Sequence, residues 1–268
     1  IFMRLRIVFN NDNKGGIVPF YHQYLISNLM EELIADLPAK FRNFSSYNFS
    51  GLKGQIKVSR EGLQYLSSKV TLVFSCSNQE FVDAFLSVLF RKEKIKIGEL
   101  ILIPDMVERE PDMSFTEEIK YVCIAPIIVS NKAIAEPDGK RFISPFTDEF
   151  SDFLYEMTIS KMEESSRFPS SELSSFYKFQ IVPDKEYLEK IKEGDKKFAR
   201  IYPVYENGSK LELRGYTFPF TLYADRKVHE FVYENGMGAF SHRGFGMVDL
   251  ADHLQKQKTV PYNFAMII

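Results

Sequence analysis

Tryptophan is absent from this 268-residue chain, and cysteine and histidine are scarce. The two cysteines, Cys76 and Cys123, each sit in an apolar, strand-like run with no companions at metal-ligand spacing. That excludes a disulfide framework and reads as two buried thiols in a reducing compartment, with the cytoplasm as the expected location. The four histidines, His22, His229, His242 and His253, are too scattered for a metal centre, so neither a metal ion nor a cofactor is expected. No run of about 18 apolar residues marks a membrane span, and no signal-peptide pattern is present. Ile1 and Phe2 precede Met3, the natural start, and read as an expression remnant. No Ser-His-Asp or Cys-His signature stands out. A formal charge of −2 gives no global pull toward nucleic acid, so any such site must be a local patch.

What the chain has in quantity is aromatic: 25 Phe and 14 Tyr within a 45% hydrophobic composition. This fits a Phe-packed core or surfaces on which bases stack. Met3 to Phe9 alternates as a strand, and the turn from Asn10 to Gly16 closes it. Pro19 is placed to open a helix whose stripe is Leu25, Ile26, Leu29, Met30, Leu33, Ile34 and Leu37, ended by Pro38. Lys40 to Gly54, rich in Ser, Asn, Tyr and Phe, reads as loop. Gln55–Arg60 and Gly62–Phe74 read as a hairpin. Asn78 caps a second helix carrying Phe81, Phe85, Val88 and Leu89, and Lys94 to Val107 returns as a strand with a turn or bulge at Gly98. The order is strand, helix, strand, strand, helix, strand, which is the ferredoxin-like α+β arrangement.

Glu108 to Thr116 reads as a linker, after which the order repeats without visible sequence similarity. Ile119–Ser130 is a strand, Phe146–Met162 a helix, and Tyr177–Val182 and Leu211–Tyr223 are strands. Glu186 to Lys197 is a charged, solvated excursion. Asp225–Asn235 is a helix with Asp225 at its N-cap and Gly236 where a left-handed C-cap residue belongs. The stretch Gly236-Met-Gly-Ala-Phe-Ser-His-Arg-Gly-Phe-Gly246 then leads into a strand from Phe245 to Leu250. This glycine-rich loop runs from helix to strand, opposite in polarity to a nucleotide-binding P-loop. It offers backbone N–H groups to a bulky anion. Tandem ferredoxin-like domains over 1–112 and 117–268 follow, with the segment after Ala251 unplaced.

A tandem pair ending in helix, glycine-rich loop and strand resembles the repeat-associated RNA-processing superfamily of CRISPR systems. More closely, it resembles the CRISPR-associated endoribonuclease six family. Arg4-Leu-Arg-Ile-Val-Phe9 resembles the family's first strand, and Val18-Pro-Phe-Tyr-His-Gln-Tyr-Leu25 the opening of its first helix. Ser59-Arg-Glu-Gly-Leu63 resembles its hairpin. Gly236-Met-Gly and His242-Arg-Gly-Phe-Gly-Met-Val248 resemble its signature loop and last strand. The resemblance implies binding of CRISPR repeat RNA near the glycine loop, with cleavage in a cleft against the first domain. It implies a metal-independent reaction in which a 2′-OH attacks the adjacent phosphate, leaving a 2′,3′-cyclic phosphate and a 5′-OH. A non-catalytic repeat-RNA-binding protein or structural subunit of an interference complex is the alternative. Other CRISPR-associated proteins and a homodimer are left open as partners.

Many members carry a catalytic histidine in the region matching Lys40–Gly54, and this chain has none there. Tyr47 falls near that position and Lys53, between Gly51 and Gly54, suits phosphate stabilisation. His22 is a third catalytic candidate, at a helix start that depresses its pKa. Gly236, Gly238, His242, Arg243, Gly244 and Gly246 are expected to hold RNA, joined by Arg226 and Lys227 on the preceding helix. Lys140 and Arg141 form a basic tip that extends the track.

Overall fold

The alternation of Met3, Leu5, Ile7 and Phe9, all buried, sets one face of β1 (Met3–Asn11) against a core. The computed structural model to which this strand belongs describes residues 2–130, 139–252 and 258–266. His253, and Ile267 and Ile268 of the apolar end, lie outside them. The chain divides into two units. Ile1–Pro111, His242–Gly244 and Gln257–Ile268 form the first, and Asp112–Ser241 with Phe245–Lys256 the second.

In the first unit β2 (Ile17–Val18) precedes α1 (Gln23–Ala35), which starts four residues after Pro19 and buries Ile26, Met30, Leu33 and Ile34. The expected loop from Lys40 contains a strand instead, β3 (Tyr47–Lys53). Its Ser and Asn content suggests loop, but Tyr47 and Phe49 face the core while Asn48 and Ser50 occupy the other face. β4 (Ile56–Val58) and β5 (Leu63–Tyr65) form the hairpin, and the expected strand through Phe74 breaks before β6 (Lys69–Cys76). α2 (Gln79–Arg91) begins where the Asn78 carboxamide oxygen accepts from Phe81 N at 3.0 Å. β7 (Ile95–Ile97) and β8 (Leu100–Arg109) turn tightly at Gly98, whose φ is +60°. β8 also consumes the first residues of the expected linker. The main antiparallel sheet runs β8-β1-β6-β3, and β2, β5 and β4 make a separate small sheet.

The second unit contains β9 (Glu118–Cys123), β10 (Ile127–Ile128), α3 (Asp148–Glu164) and α4 (Ser170–Leu173). The single strand expected from Ile119 to Ser130 is thus two, in different sheets. β11 (Phe179–Pro183) leads to α5 (Lys185–Glu193), the charged excursion, capped by Asp184 and burying only Leu188. β12 (Ala199–Glu206) and β13 (Ser209–Tyr216) form a hairpin that sequence reasoning misses. Its turn is Asn207-Gly208, with φ of +49° and +75°, the hand that matches strand twist. β14 (Phe220–Ala224) follows a break at Thr217–Pro219, so Leu211–Tyr223 is also two strands. α6 (Arg226–Asn235) and β15 (Val248–Leu250) complete the unit. Its main sheet runs β11-β14-β9-β15, with β10, β13 and β12 in another.

Counted along the chain, the four principal strands of each unit lie in the spatial order second, third, first, fourth. Two tandem ferredoxin-like domains are therefore present, as expected. The tail corrects the second domain boundary. β16 (Val260–Pro261) pairs with β8, and Tyr262 Oη donates to Asp83 Oδ1 at 2.7 Å. Phe264 lies on Phe90 at 5.1 Å, so this segment packs into the first unit rather than the second. Among the described residues, no helix is long and apolar enough to cross a membrane.

Candidate nucleic-acid interface

Helix α6 leads the glycine loop from a well-anchored base. Asp225 Oδ1 accepts from Lys227 N at 2.8 Å, and Val228, Phe231 and Val232 are buried. Gly236 closes the helix with φ +78° and ψ 169°, an extended positive-φ conformation rather than the left-handed helical one expected. Both are open to glycine and strained for other residues. Beyond it the loop is packed tightly. A Cβ on Gly238 would lie 2.3 Å from Ile128 O, and one on Gly246 would lie 1.9 Å from Met237 O. Met237 N donates to Gly246 O at 2.8 Å, Ala239 N to Ile128 O at 2.9 Å and Gly246 N to Pro126 O at 2.7 Å. One of these amides closes the loop on itself and two tie it to Pro126 and Ile128, so none of the three is offered to an anion, which corrects the expectation. Gly236, Gly238, Gly244 and Gly246 are all buried, and only Phe240–Arg243 are partly exposed. The glycines shape the loop; the residues that reach solvent are its tip.

That tip, His242–Gly244, belongs with the first unit. The Gln23 side chain donates to Gly244 O, and a Cβ on Gly244 would lie 2.2 Å from the Phe49 ring. Arg243 pairs with Glu31 on α1 and lies 3.4 Å from Ser27 Oγ, leaving its side chain 13% exposed. His242 ends half-buried beside it. Sequence reasoning misses Gln23 because a glutamine at a helix start carries no pattern; its burial is the signal.

The other expected cations divide by burial. Arg226 and Lys227 are exposed, and Lys227 pairs with Glu172. His229 on the same helix is fully buried, its Nδ1 2.9 Å from Tyr121 Oη, and burial depresses its pKa to about 4. It is a neutral core group, not a phosphate contact. Lys140 pairs with Glu212 at 2.5 Å and Arg141 with Glu149 at 2.7 Å, all four exposed at their ends.

Two of the three catalytic candidates, Tyr47 and Lys53, stand at opposite ends of one strand. Tyr47 is 7% exposed and stacks with Phe74 at 5.9 Å and Phe81 at 5.7 Å, so its phenol belongs to the core. Lys53 is exposed at the far end of the same strand. At about 3.3 Å per residue the two lie roughly 20 Å apart, too far to serve one phosphodiester. The register of β3 on β6 shifts between Phe49 and Leu52, and this bulge keeps Leu52 in the core while turning Lys53 to the opposite face. Without it Lys53 would point inward. On that opposite face Arg4, Ser75 and Asn48 form one buried polar row across β1, β6 and β3. The alternation of Arg4 and Arg6 with Leu5 and Ile7 is the sequence signal for it. His22 is also buried; its Nδ1 lies 2.9 Å from Pro19 O and burial lowers its pKa, so it is neutral at pH 7. Its Nε2 has no protein partner. Among the described residues, no group of three or more His, Cys, Asp or Glu side chains is placed to hold a metal ion.

Known proteins are similar to this chain in sequence and in fold. Residues 108–250, from the end of β8 through β15, match the family model described as CRISPR associated protein Cas6, C-terminal. The chain is 24% identical over 267 residues to the CRISPR-associated endoribonuclease Cas6 1 of Methanocaldococcus jannaschii, covering 96% of each. Its fold is similar to that of a Cas6-related protein from Pyrococcus furiosus, with a TM-score of 0.75 at 18% identity, over 94% of this chain and 100% of that one. A structure described as an RAMP protein binding different RNA substrates matches with a TM-score of 0.73 at 21% identity, over 93% and 100%.

Proposed function

Because this chain belongs to the CRISPR-associated Cas6 family, we propose that it binds CRISPR repeat RNA sequence-specifically and cuts it without a metal ion. The observation that carries this reading is the family match itself, which spans α6, the glycine loop and β15. In the reaction a base takes the proton of a ribose 2′-OH, whose oxygen bonds to the adjacent phosphorus. The bond from phosphorus to the 5′ oxygen breaks, and that oxygen takes up a proton. The products are a 2′,3′-cyclic phosphate and a 5′-OH. Such a reaction needs proton transfer and a cation near the charged phosphorus rather than a Lewis acid. Lys53, exposed on β3, is the group assigned to the phosphate. His22 is neutral and carries an acceptor nitrogen, but its burial and depressed pKa make it the weaker proton acceptor. The partly exposed tip, Phe240–Arg243, with Arg226 and Lys227, is assigned to RNA holding.

One observation favours a second reading, a repeat-RNA-binding protein without cleavage. Tyr47, the residue nearest to the family's usual histidine, is enclosed by aromatic rings. Incubating the protein with end-labelled repeat RNA in EDTA separates the two. Fragments ending in a cyclic phosphate establish the nuclease. Saturable binding with intact RNA establishes the carrier, and no binding rejects both.

A further inference from the structure

Segment 139–146 and strand β13 build a small rigid surface in the second unit. Phe142 is 49% exposed, yet its ring is held in place. Phe198 and Tyr216 each stand 6.0 Å from it, and the Arg214 guanidinium lies 5.9 Å from its centroid. Three hydrogen bonds fix the backbone beneath. Arg214 N donates to Gly139 O at 2.8 Å, Arg214 Nε to Lys140 O at 2.9 Å, and Ile143 N to Tyr216 Oη at 2.8 Å. The surface is therefore organised before any ligand arrives.

Its chemistry is an exposed aromatic ring with the Arg214 guanidinium beside it and two further cations, Lys140 and Arg141, directly before it in the chain. Lys140 and Arg141 leave 55% and 50% of their side chains in solvent. Their partners Glu212 and Glu149 are as open, at 46% and 44%, so these are weak surface pairs that a phosphate can displace. A ring without hydrogen-bonding atoms stacks on any base, and flanking Lys and Arg neutralise the phosphates on either side. An apolar protein partner would gain nothing from the Arg214 guanidinium on the ring or from the Lys140 and Arg141 charges next to it in the chain. Charge complementarity thus selects an anion that also carries a flat apolar face.

We propose that Phe142 is a stacking platform for an unpaired base of the bound RNA, with Lys140, Arg141 and Arg214 taking the adjoining phosphates. This rests on the reading of the chain as a repeat-RNA binder and adds a defined contact to it. The absence of tryptophan supplies the test. Phe142→Trp makes the only indole in the protein, and its emission is followed while repeat RNA is added at low salt, with retention of RNA on a filter measured on the same samples. The emission falls as RNA is retained. Phe142→Ala weakens binding about tenfold and Phe142→Tyr restores it. Lys140→Ala combined with Arg141→Ala lowers the slope of log affinity against log salt by about 1 to 2. Unchanged emission at full RNA retention overturns the platform and leaves the repeat-RNA reading standing. Failure of the unaltered protein to retain RNA removes both.

Discussion

The side-chain amide of Gln23, the first residue of α1, donates to the carbonyl of Gly244, 221 positions further along the chain. Gln23 is 5% exposed, and Gly244 is buried against the Phe49 ring. A buried polar side chain in a folded protein is usually hydrogen-bonded, and here the amide nitrogen is. Gln23 thus holds the turn that follows His242 and Arg243, two loop side chains with partial access to solvent.

Removing that donor leaves a buried carbonyl without its partner. Gln23→Ala is expected to cost about 1–3 kcal/mol in urea unfolding. Gln23→Glu costs more at pH 7, because a carboxylate faces the carbonyl and cannot donate. Part of that loss returns as the pH falls and the carboxyl acquires a proton. Equal stability of the alanine variant and the parent would show that the bond contributes nothing.

Two glycines of the same hand separate conformational strain from crowding. Gly15 has φ +89°, and a methyl group added there would meet nothing within 4 Å, whereas Gly246 has φ +78° and would bring its methyl to 1.9 Å from Met237 O. Gly15→Ala is expected to cost about 1 kcal/mol, the left-handed penalty alone. Gly246→Ala must displace backbone, and its cost exceeds about 3 kcal/mol. Thermal unfolding of the two variants measures the difference, and similar melting temperatures would mean the loop shifts freely.

The architecture is legible because it rests on periodicity. The alternation in Met3–Phe9 and the stripes of α1 and α2 each name a buried face without reference to distant residues. Boundaries fail where local composition opposes tertiary pairing. Tyr47–Lys53 reads as loop until β6 supplies its hydrogen bonds, and Ala199–Glu206, which lacks clean alternation, is defined by its pairing with β13 outside the main sheet. The glycine loop is visible, but not the use of its amides. Two of those bonds run to Pro126 and Ile128, more than 100 positions away, and no local signal reports them. Tyr47 misleads for a related reason: its chemistry is in its own name, its burial in Phe74 and Phe81.

His229 makes stability depend on pH. In the unfolded chain its imidazole takes a proton near pH 6.5, whereas burial holds it neutral in the fold down to about 4. Between these values the unfolded state binds more protons, so stability rises with pH there. The contribution is complete above about 6.5, falls as the pH drops, and stops changing below about 4. At pH 5 the loss is on the order of 2 kcal/mol. His229→Gln, which keeps a polar atom near Tyr121, is expected to flatten this slope between pH 7 and 5. An unchanged slope in urea midpoints would assign the acid sensitivity to other groups.

The opposite ends of β3 make contrary predictions for RNA cleavage. Tyr47 is 7% exposed and lies among rings, which places it in the core rather than at a substrate-binding surface. Tyr47→Phe keeps the packing and is expected to leave the rate of repeat-RNA cleavage within about twofold, although Tyr47→Ala lowers stability by about 3–5 kcal/mol. Lys53 is exposed, so Lys53→Ala leaves the melting temperature in place. If its ammonium stands by the phosphate in the transition state, the rate falls by about 10²–10³ while RNA affinity changes little. Single-turnover cleavage in EDTA with each variant decides the matter. A Lys53→Ala protein that cuts at the parent rate would move the chemistry off β3 altogether, and a Tyr47→Phe protein that no longer cuts would place it at the strand's buried end.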